Sequence, residues 1–334
     1  MNKDFINANR NDFFALLRGI DLQDLLVCVS NYLLKYKAGL NLPHDVTIGC
    51  ELEFENLSPK TKKQIIMFIN CELVGWKVKR DLSLKRGAEI NSPIMKDEKK
   101  YWQELKKVCD YLTLNKVDTT RNAAGHIHIG NILGDDVEAW KMFLKLYLAY
   151  ESIMFRFFYG DKISARKKII EYAKPTSNYL NKNIRYIDEA KDILDIEKCI
   201  DLGNRYYSLN FSNLCIGDEQ FNFEIDTIEL RCPNATTNAI IWQNNINTFA
   251  KMLVSSKDKV MDEDFLNYKV KCEAKSFYKN SYLYNEIDLM GALEFVDLVF
   301  DNNLDKVYFL RQYFKNFEDN FCIKNTVKAK KFWR

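Results

Sequence analysis

The stretch VTIGCELEFE, residues 46–55, decides how the rest of the chain is read. Its even positions, Val46, Ile48, Cys50, Leu52 and Phe54, are apolar, and its odd positions are Thr47, Gly49, Glu51, Glu53 and Glu55. Side chains alternate across a strand, so this period of two predicts a strand with one face in a core and carboxylates on the other. The same pattern returns three times. GHIHIGN (125–131) sets His126 and His128 opposite Ile127 and Ile129, and FEIDTIELRC (223–232) sets Glu229 and Arg231 opposite Ile228, Leu230 and Cys232. RYYSLNFS (205–212) sets Ser208 and Asn210 opposite Tyr207, Leu209 and Phe211. Two shorter pieces, Leu73–Lys79 leading into Asp81 and Ala88–Asn91 containing Glu89, bring the expectation to about six strands.

Helical text separates them. The pattern predicts helices over 12–36 (two, broken near Gly19 and Asp21), 59–70, 98–115, a single long one over 136–158, 237–254 and several within 265–334. Segment 160–203 is Lys- and Asn-rich and helical in part, and the charge-dense SKDKVMDED (256–264) reads as a linker. The fold class is therefore α+β, divided into a helical extension over 1–44, a sheet-bearing domain over 45–255 and a helical extension over 256–334.

Composition narrows the function classes. The 334 residues carry 49 Lys and Arg against 46 Asp and Glu, a net charge of +3, whereas nucleic-acid binders show a basic excess or stripe. Nine cysteines, spread singly without any C-x-x-C, suggest neither a disulfide framework nor a thiolate zinc site and fit a reducing compartment. Cys50 and Cys232 share parity with the apolar faces and read as core. Charges at Asp4, Arg10, Asp12, Arg18 and Asp21 interrupt the N-terminal apolar text as they would not in a signal peptide. Lys141, Lys145, Glu151 and Arg156 break the most apolar stretch, Trp140–Tyr159, unlike a membrane span. The expectation is a cytoplasmic protein with no membrane or nucleic-acid partner, whose basic tail KAKKFWR is a solvated terminus.

A merely solvated sheet face favours Thr, Lys and Ser, but here the polar faces carry Glu, His and Arg. Only three histidines exist, His44, His126 and His128, and two of them share one strand face. Carboxylates converging in one concavity repel and raise one another's pKa unless cations sit among them. Oxygen-rich ligation with an imidazole suits Mg²⁺ or Mn²⁺ better than zinc. Such a metal beside an arginine points to phosphate handling. Neither G-x-x-x-x-G-K-[ST] nor G-x-G-x-x-G occurs, so a nucleotide would bind without a glycine loop.

Five segments in this order, IGCELEFE (48–55), W-x-V-x-x-D-x-S-L (76–84) leading to GAEINSP (87–93), AGHIHIG (124–130), RYYSLNF (205–211) and TIELR (227–231), resemble the amidoligase family of the glutamine synthetase-like superfamily. The resemblance implies a curved antiparallel sheet, a partial barrel, whose concave face holds ATP and two or three Mg²⁺ or Mn²⁺ ions. It also implies an ATP-dependent ligase that joins a carboxylate to an amine through an acyl phosphate. Glu51, Glu53, Asp81, Glu89, His126 and Glu229 look like the metal ligands, and His128, Arg231 and Asn210 like the groups facing the nucleotide. Glu229 and Arg231 look like the catalytic pair, with Arg205 assisting; Arg205 has the parity of the apolar face and contributes only from a strand end. Ser83 and Ser92 read as turn residues. The substrates are a small molecule or peptide with a free carboxylate and one with a free amine. Two other readings remain: a metallohydrolase using His126 and His128 as an H-x-H pair, and a non-catalytic member of the fold.

Overall fold

The computed structural model describes residues 29, 32–119, 121–160, 162, 166–200, 203–215, 226–259, 261–280 and 286–314. Strand β1 (Ile48–Phe54) forms where the alternation predicts it and sits at the middle of a six-stranded open sheet. With β2 (Lys77–Lys79), β3 (Ala88–Asn91), β4 (Gly125–Gly130), β5 (Leu209–Asn210) and β6 (Thr227–Leu230), the order is β2-β3-β1-β4-β6-β5, every pairing antiparallel. The α+β class holds.

Register sets the site. Glu51 pairs with His126 across β1 and β4 and with Asn91 across β1 and β3; Glu53 pairs with Glu89, His128 with Glu229, and Glu229 with Asn210. Side chains paired across an antiparallel ladder point to the same face, so one face gathers all these groups. On the other, Ile48, Cys50, Leu52, Ile90, Ile127, Ile129, Ile228 and Leu230 are buried to within 2% of completely, about 1.5–3 kcal/mol for each large apolar side chain. A one-residue slip would turn the carboxylates inward, so the apolar alternation fixes where the chemistry lies.

Helices cover the apolar face. Helix α1 (Pro59–Glu72) starts at Ser58, whose side chain accepts from Thr61 N, and α2 (Lys99–Leu114) buries Trp102, Leu105, Val108, Cys109 and Leu112. The structure replaces the single helix expected over 136–158 by two, α3 (Val137–Ala149) and α4 (Glu151–Phe158), meeting at Tyr150 with φ −129° and ψ 18°. Both are buried on nearly every side, so no apolar stripe marked the break. The internal charges that argued against a membrane span all have partners: Lys141 bonds Glu138, Lys145 bonds Asp188 and Glu263, Glu151 accepts from Thr176 and Ser177, and Arg156 Nε donates to Tyr313 O over 3.0 Å. Among the described residues no helix is long and apolar enough to cross a membrane.

The described residues of segment 160–203 form four short helices, α5 (Ile169–Tyr172), α6 (Ser177–Leu180), α7 (Ile184–Glu189) and α8 (Ile193–Cys199). Helix α9 (Ala239–Asp258) and α10 (Glu263–Asn280) both pack on α3 and occupy most of SKDKVMDED, which leaves only 259–262 between them. Then come α11 (Glu286–Val299) and α12 (Asn303–Phe314). Gly125 opens β4 where a Cβ would lie 2.9 Å from the Trp242 ring of α9, so glycine lets the helix come this close to the strand. Leu73–Trp76, Arg205–Ser208, Phe211, Ser212, Asp226, Arg231 and Cys232 fall outside the ladder, so the edge strands β2 and β5 and the interior β6 are shorter than the alternation predicts. Of the helical text at 12–36, residues 32–36 are not helical, and nearly all the rest lies outside the described residues, as do 223–225 and the tail KAKKFWR.

Candidate active site

The polar sheet face floors a cavity of about 590 Å³. All ten residues singled out in the sequence line it: Glu51, Glu53, Asp81, Glu89, His126, His128, Arg205, Asn210, Glu229 and Arg231. Two groups of ligand atoms converge, each within 4.8 Å: Glu51, His128 and Glu229 in one, Glu53, Asp81 and Glu89 in the other. His126 stands between them, Nδ1 2.9 Å from Glu51 Oε2 and 3.4 Å from Glu229 Oε1, Nε2 3.7 Å from Glu53 Oε1. His128, rather than His126, completes the first group. Its imidazole has room because Gly49 lies opposite it; a Cβ there would come 3.2 Å from the His128 Cβ.

Arg231 closes one end. Its Nη1 donates to Glu229 Oε1 at 2.5 Å and its Nε to Tyr172 O at 3.3 Å, while Asn210 Nδ2 donates to the other Glu229 oxygen at 2.5 Å. At the other end Asp81 caps its own turn, accepting from Ser83 N at 2.6 Å, and Glu53 accepts from Ala124 N at 2.6 Å. Ser92 Oγ accepts from Cys50 N and donates to Pro93 O, which pins the turn after β3. Arg205 is exposed at the cavity mouth, its guanidinium 5.6 Å from the centroid of the Tyr206 ring. His44 is exposed and does not line the cavity. Cys50 and Cys232 are buried on the apolar face.

The electrostatics differ between the two groups. Burial would raise the Glu51 carboxyl, but its hydrogen bond to His126 and the His128 imidazole beside it hold it well below the usual carboxylate range. Burial opposes ionisation of Glu229 too, and His128, His126 and Arg231 outweigh it. In the second group the balance reverses. Burial keeps Glu53 raised despite His126, and burial together with the negative Glu51 pushes Glu89 up to about 7. His128 is raised because Glu51 and Glu229 outweigh its burial.

These residues fit divalent cations. Among the described residues His128 Nε2 and Asn91 Oδ1 are buried with no hydrogen-bond partner, although both flank Glu51. Five carboxylates with imidazole are the hard donor set of Mg²⁺ or Mn²⁺.

Sequence reasoning missed Arg166. Its guanidinium, 4% exposed, lines the cavity and donates to the carbonyls of Arg231, Cys232 and Pro233, just after β6. Burial lowers it to about 10, so it is charged at neutral pH and adds positive potential beside the acidic floor. It lies in an irregular segment without periodicity; a lone arginine in Lys-rich text carries no signal.

A family model described as "Putative amidoligase enzyme" matches residues 68–253. Among solved structures, one described as a crystal structure of a novel glutamine synthase homolog is 9% identical, with 86% of this chain and 69% of that chain covered at a TM-score of 0.40. Among curated proteins none matches the chain.

Proposed function

This chain belongs to the amidoligase family, and from that premise we propose that it is an ATP- and Mg²⁺-dependent ligase that forms an amide or peptide-like bond through an acyl phosphate. The observation that supports this most is the meeting, in one cavity, of two acidic clusters with a guanidinium bonded to Glu229 of the first. Glu51, His128 and Glu229 would hold one cation and Glu53, Asp81 and Glu89 another, with His126 between them. Bound there, divalent cations would screen the repulsion between a substrate carboxylate and the triphosphate.

The residues of the chain then divide the work. A substrate carboxylate oxygen attacks the γ-phosphorus of ATP; the bond to the β-phosphate bridging oxygen breaks and ADP leaves. Arg231, oriented by Glu229 and Tyr172 O, takes up charge on the transferring phosphoryl group, where a positioned donor stabilises the transition state more than the ground state. Asn210 fixes Glu229 from the other side, and Arg205 and Arg166 add positive potential around the anions. An amine nitrogen next attacks the acyl carbon, phosphate departs with the C–O bonding pair, and the amine loses a proton. No side chain is covalently modified.

Glu229→Gln is the direct test. It keeps the shape of the side chain but removes the charge that meets Arg231 and the cation. Carboxylate-dependent ADP release with Mg²⁺ is expected to fall by at least ~10²-fold, with the thermal transition retained. Undiminished turnover would remove Glu229 from the mechanism, and zinc-dependent hydrolysis without ATP would replace the ligase reading with the hydrolase one.

A further inference from the structure

Among the described residues, Glu151 is the most deeply buried carboxylate that the reaction does not use. It is 0% exposed, stands first in α4 just after the break at Tyr150, and does not line the cavity. One of its oxygens accepts from Thr176 N at 2.6 Å and Ser208 Oγ at 2.6 Å, and the other from Ser177 N at 3.0 Å. Burial still raises its pKa, and these hydrogen bonds oppose that.

The bonds clamp two segments together. Ser208 Oγ and Thr176 Oγ1 lie 2.7 Å apart, and Thr176 Oγ1 accepts from Leu209 N at 3.0 Å. Lys174 N donates to Tyr206 O, and Ser208 N to Lys174 O. Both clamped segments lead to Arg231. Ser208 O accepts from Arg231 N at 2.8 Å, and Tyr172 O, two residues before Lys174, accepts from Arg231 Nε. Asn210, two residues beyond Ser208, holds Glu229. None of these bonds reaches Glu53, Asp81 or Glu89.

We infer that Glu151 is a positioning residue for phosphoryl transfer: by tying 174–177 to 206–210 it fixes the two carbonyls and the amide that aim Arg231 and Glu229. This rests on the role proposed above for Arg231. The effect is one-sided, acting on the Arg231 end of the cavity and leaving the Glu53, Asp81 and Glu89 group untouched. A general loss of stability would have no such direction.

Glu151→Gln in the full chain tests it, beside Asp305→Asn as a control. Asp305, 3% exposed and bonded to Lys37 and Lys251, lies outside the cavity lining, so its loss destabilises without touching the clamp. Glu151→Gln cannot accept from Ser177 N and Ser208 Oγ together. The kcat of carboxylate-dependent ADP release is expected to drop about 10²-fold, while KM for the carboxylate stays within about twofold. In a ¹⁵N spectrum the Arg231 Nε–H peak, assigned by its loss in Arg231→Lys, is expected to shift or broaden in Glu151→Gln and to stay in place in Asp305→Asn. Should the wild-type chain release no ADP with any carboxylate, the ligase reading fails, and the Arg231 peak still decides the positioning role. A wild-type kcat in Glu151→Gln, or an unmoved Arg231 peak, overturns the inference.

Discussion

Glu89 is held half-buried against two other carboxylates, and its pKa of about 7 places a titration in the physiological range. Its folded value lies above the unfolded one, so the stability tied to its proton is complete below the unfolded pKa of about 4.5 and is lost as pH rises through about 7. His128, also raised, acts in the same direction, whereas the lowered Glu51 and Glu229 stay ionised above pH 5 and contribute no slope there. The metal-free protein is therefore expected to lose thermal stability between pH 5.5 and 8, with a shallower loss in Glu89→Gln. A cation competes with that proton, so Mg²⁺ affinity should rise with pH through about 7 and binding should release protons. Titration calorimetry in two buffers of different ionisation enthalpy measures the release; a pH-independent affinity with none would take Glu89 out of the cation site. Glu51 and Glu53, His126 and His128, and Glu229 with Arg231 were legible because each pair sits two apart in alternating text, whereas Asp81 and Glu89 stood out only as carboxylates near strand ends. Glu151 was visible only as a charge out of place in apolar text, and what it touches, Thr176 and Ser208, is set by folding over 25 and 57 residues of separation.

The elements that read best in sequence are those buried on one face and functional on the other. β1, β4 and β6 appear with the expected faces because alternation and the core agree. β2 and β5 shrink because an edge strand has a neighbour on one side only, and ahead of β5 Tyr206 O and Ser208 N bond Lys174, which bridges Tyr207 outside the ladder. The division of labour between faces is itself testable. Ile127, 0% exposed on the apolar face of β4, separates His126 from His128. Ile127→Ala should lower stability by ~2–5 kcal/mol in urea unfolding, from lost transfer energy plus a residual cavity. Its kcat well below the transition should stay within about threefold, since register holds both imidazoles. A loss of activity without a loss of stability would mean that the core face tunes the chemistry directly.

At the scale of the molecule, motif and core do not end together. The motif-bearing text stops before α10, yet Phe157 of α4 stacks on Phe309 of α12 with centroids 4.3 Å apart, and Gln312 Nε2 donates to Phe157 O. Asn244 of α9 donates to Tyr308 O, Asp305 joins Lys37 and Lys251, and Glu263 meets the fully buried Lys145. Helices α10 to α12 thus cover α3 and α4, and α4 begins with the residue that clamps the Arg231 end of the cavity. A chain ending at Asp258 would expose that aromatic layer and remove one of the two acidic partners of Lys145. It is expected to show no cooperative thermal transition, because leaving a buried ion short of partners and a core layer open together cost more than a typical domain's 5–15 kcal/mol margin. Phe309→Ala in the full chain, losing ~3–5 kcal/mol, should keep its transition and its ADP release at low temperature. If the truncated chain folds and turns over normally, the C-terminal helices are a separable extension and the catalytic unit ends at the linker; if it fails while Phe309→Ala survives, the helices are part of the scaffold that aims the site.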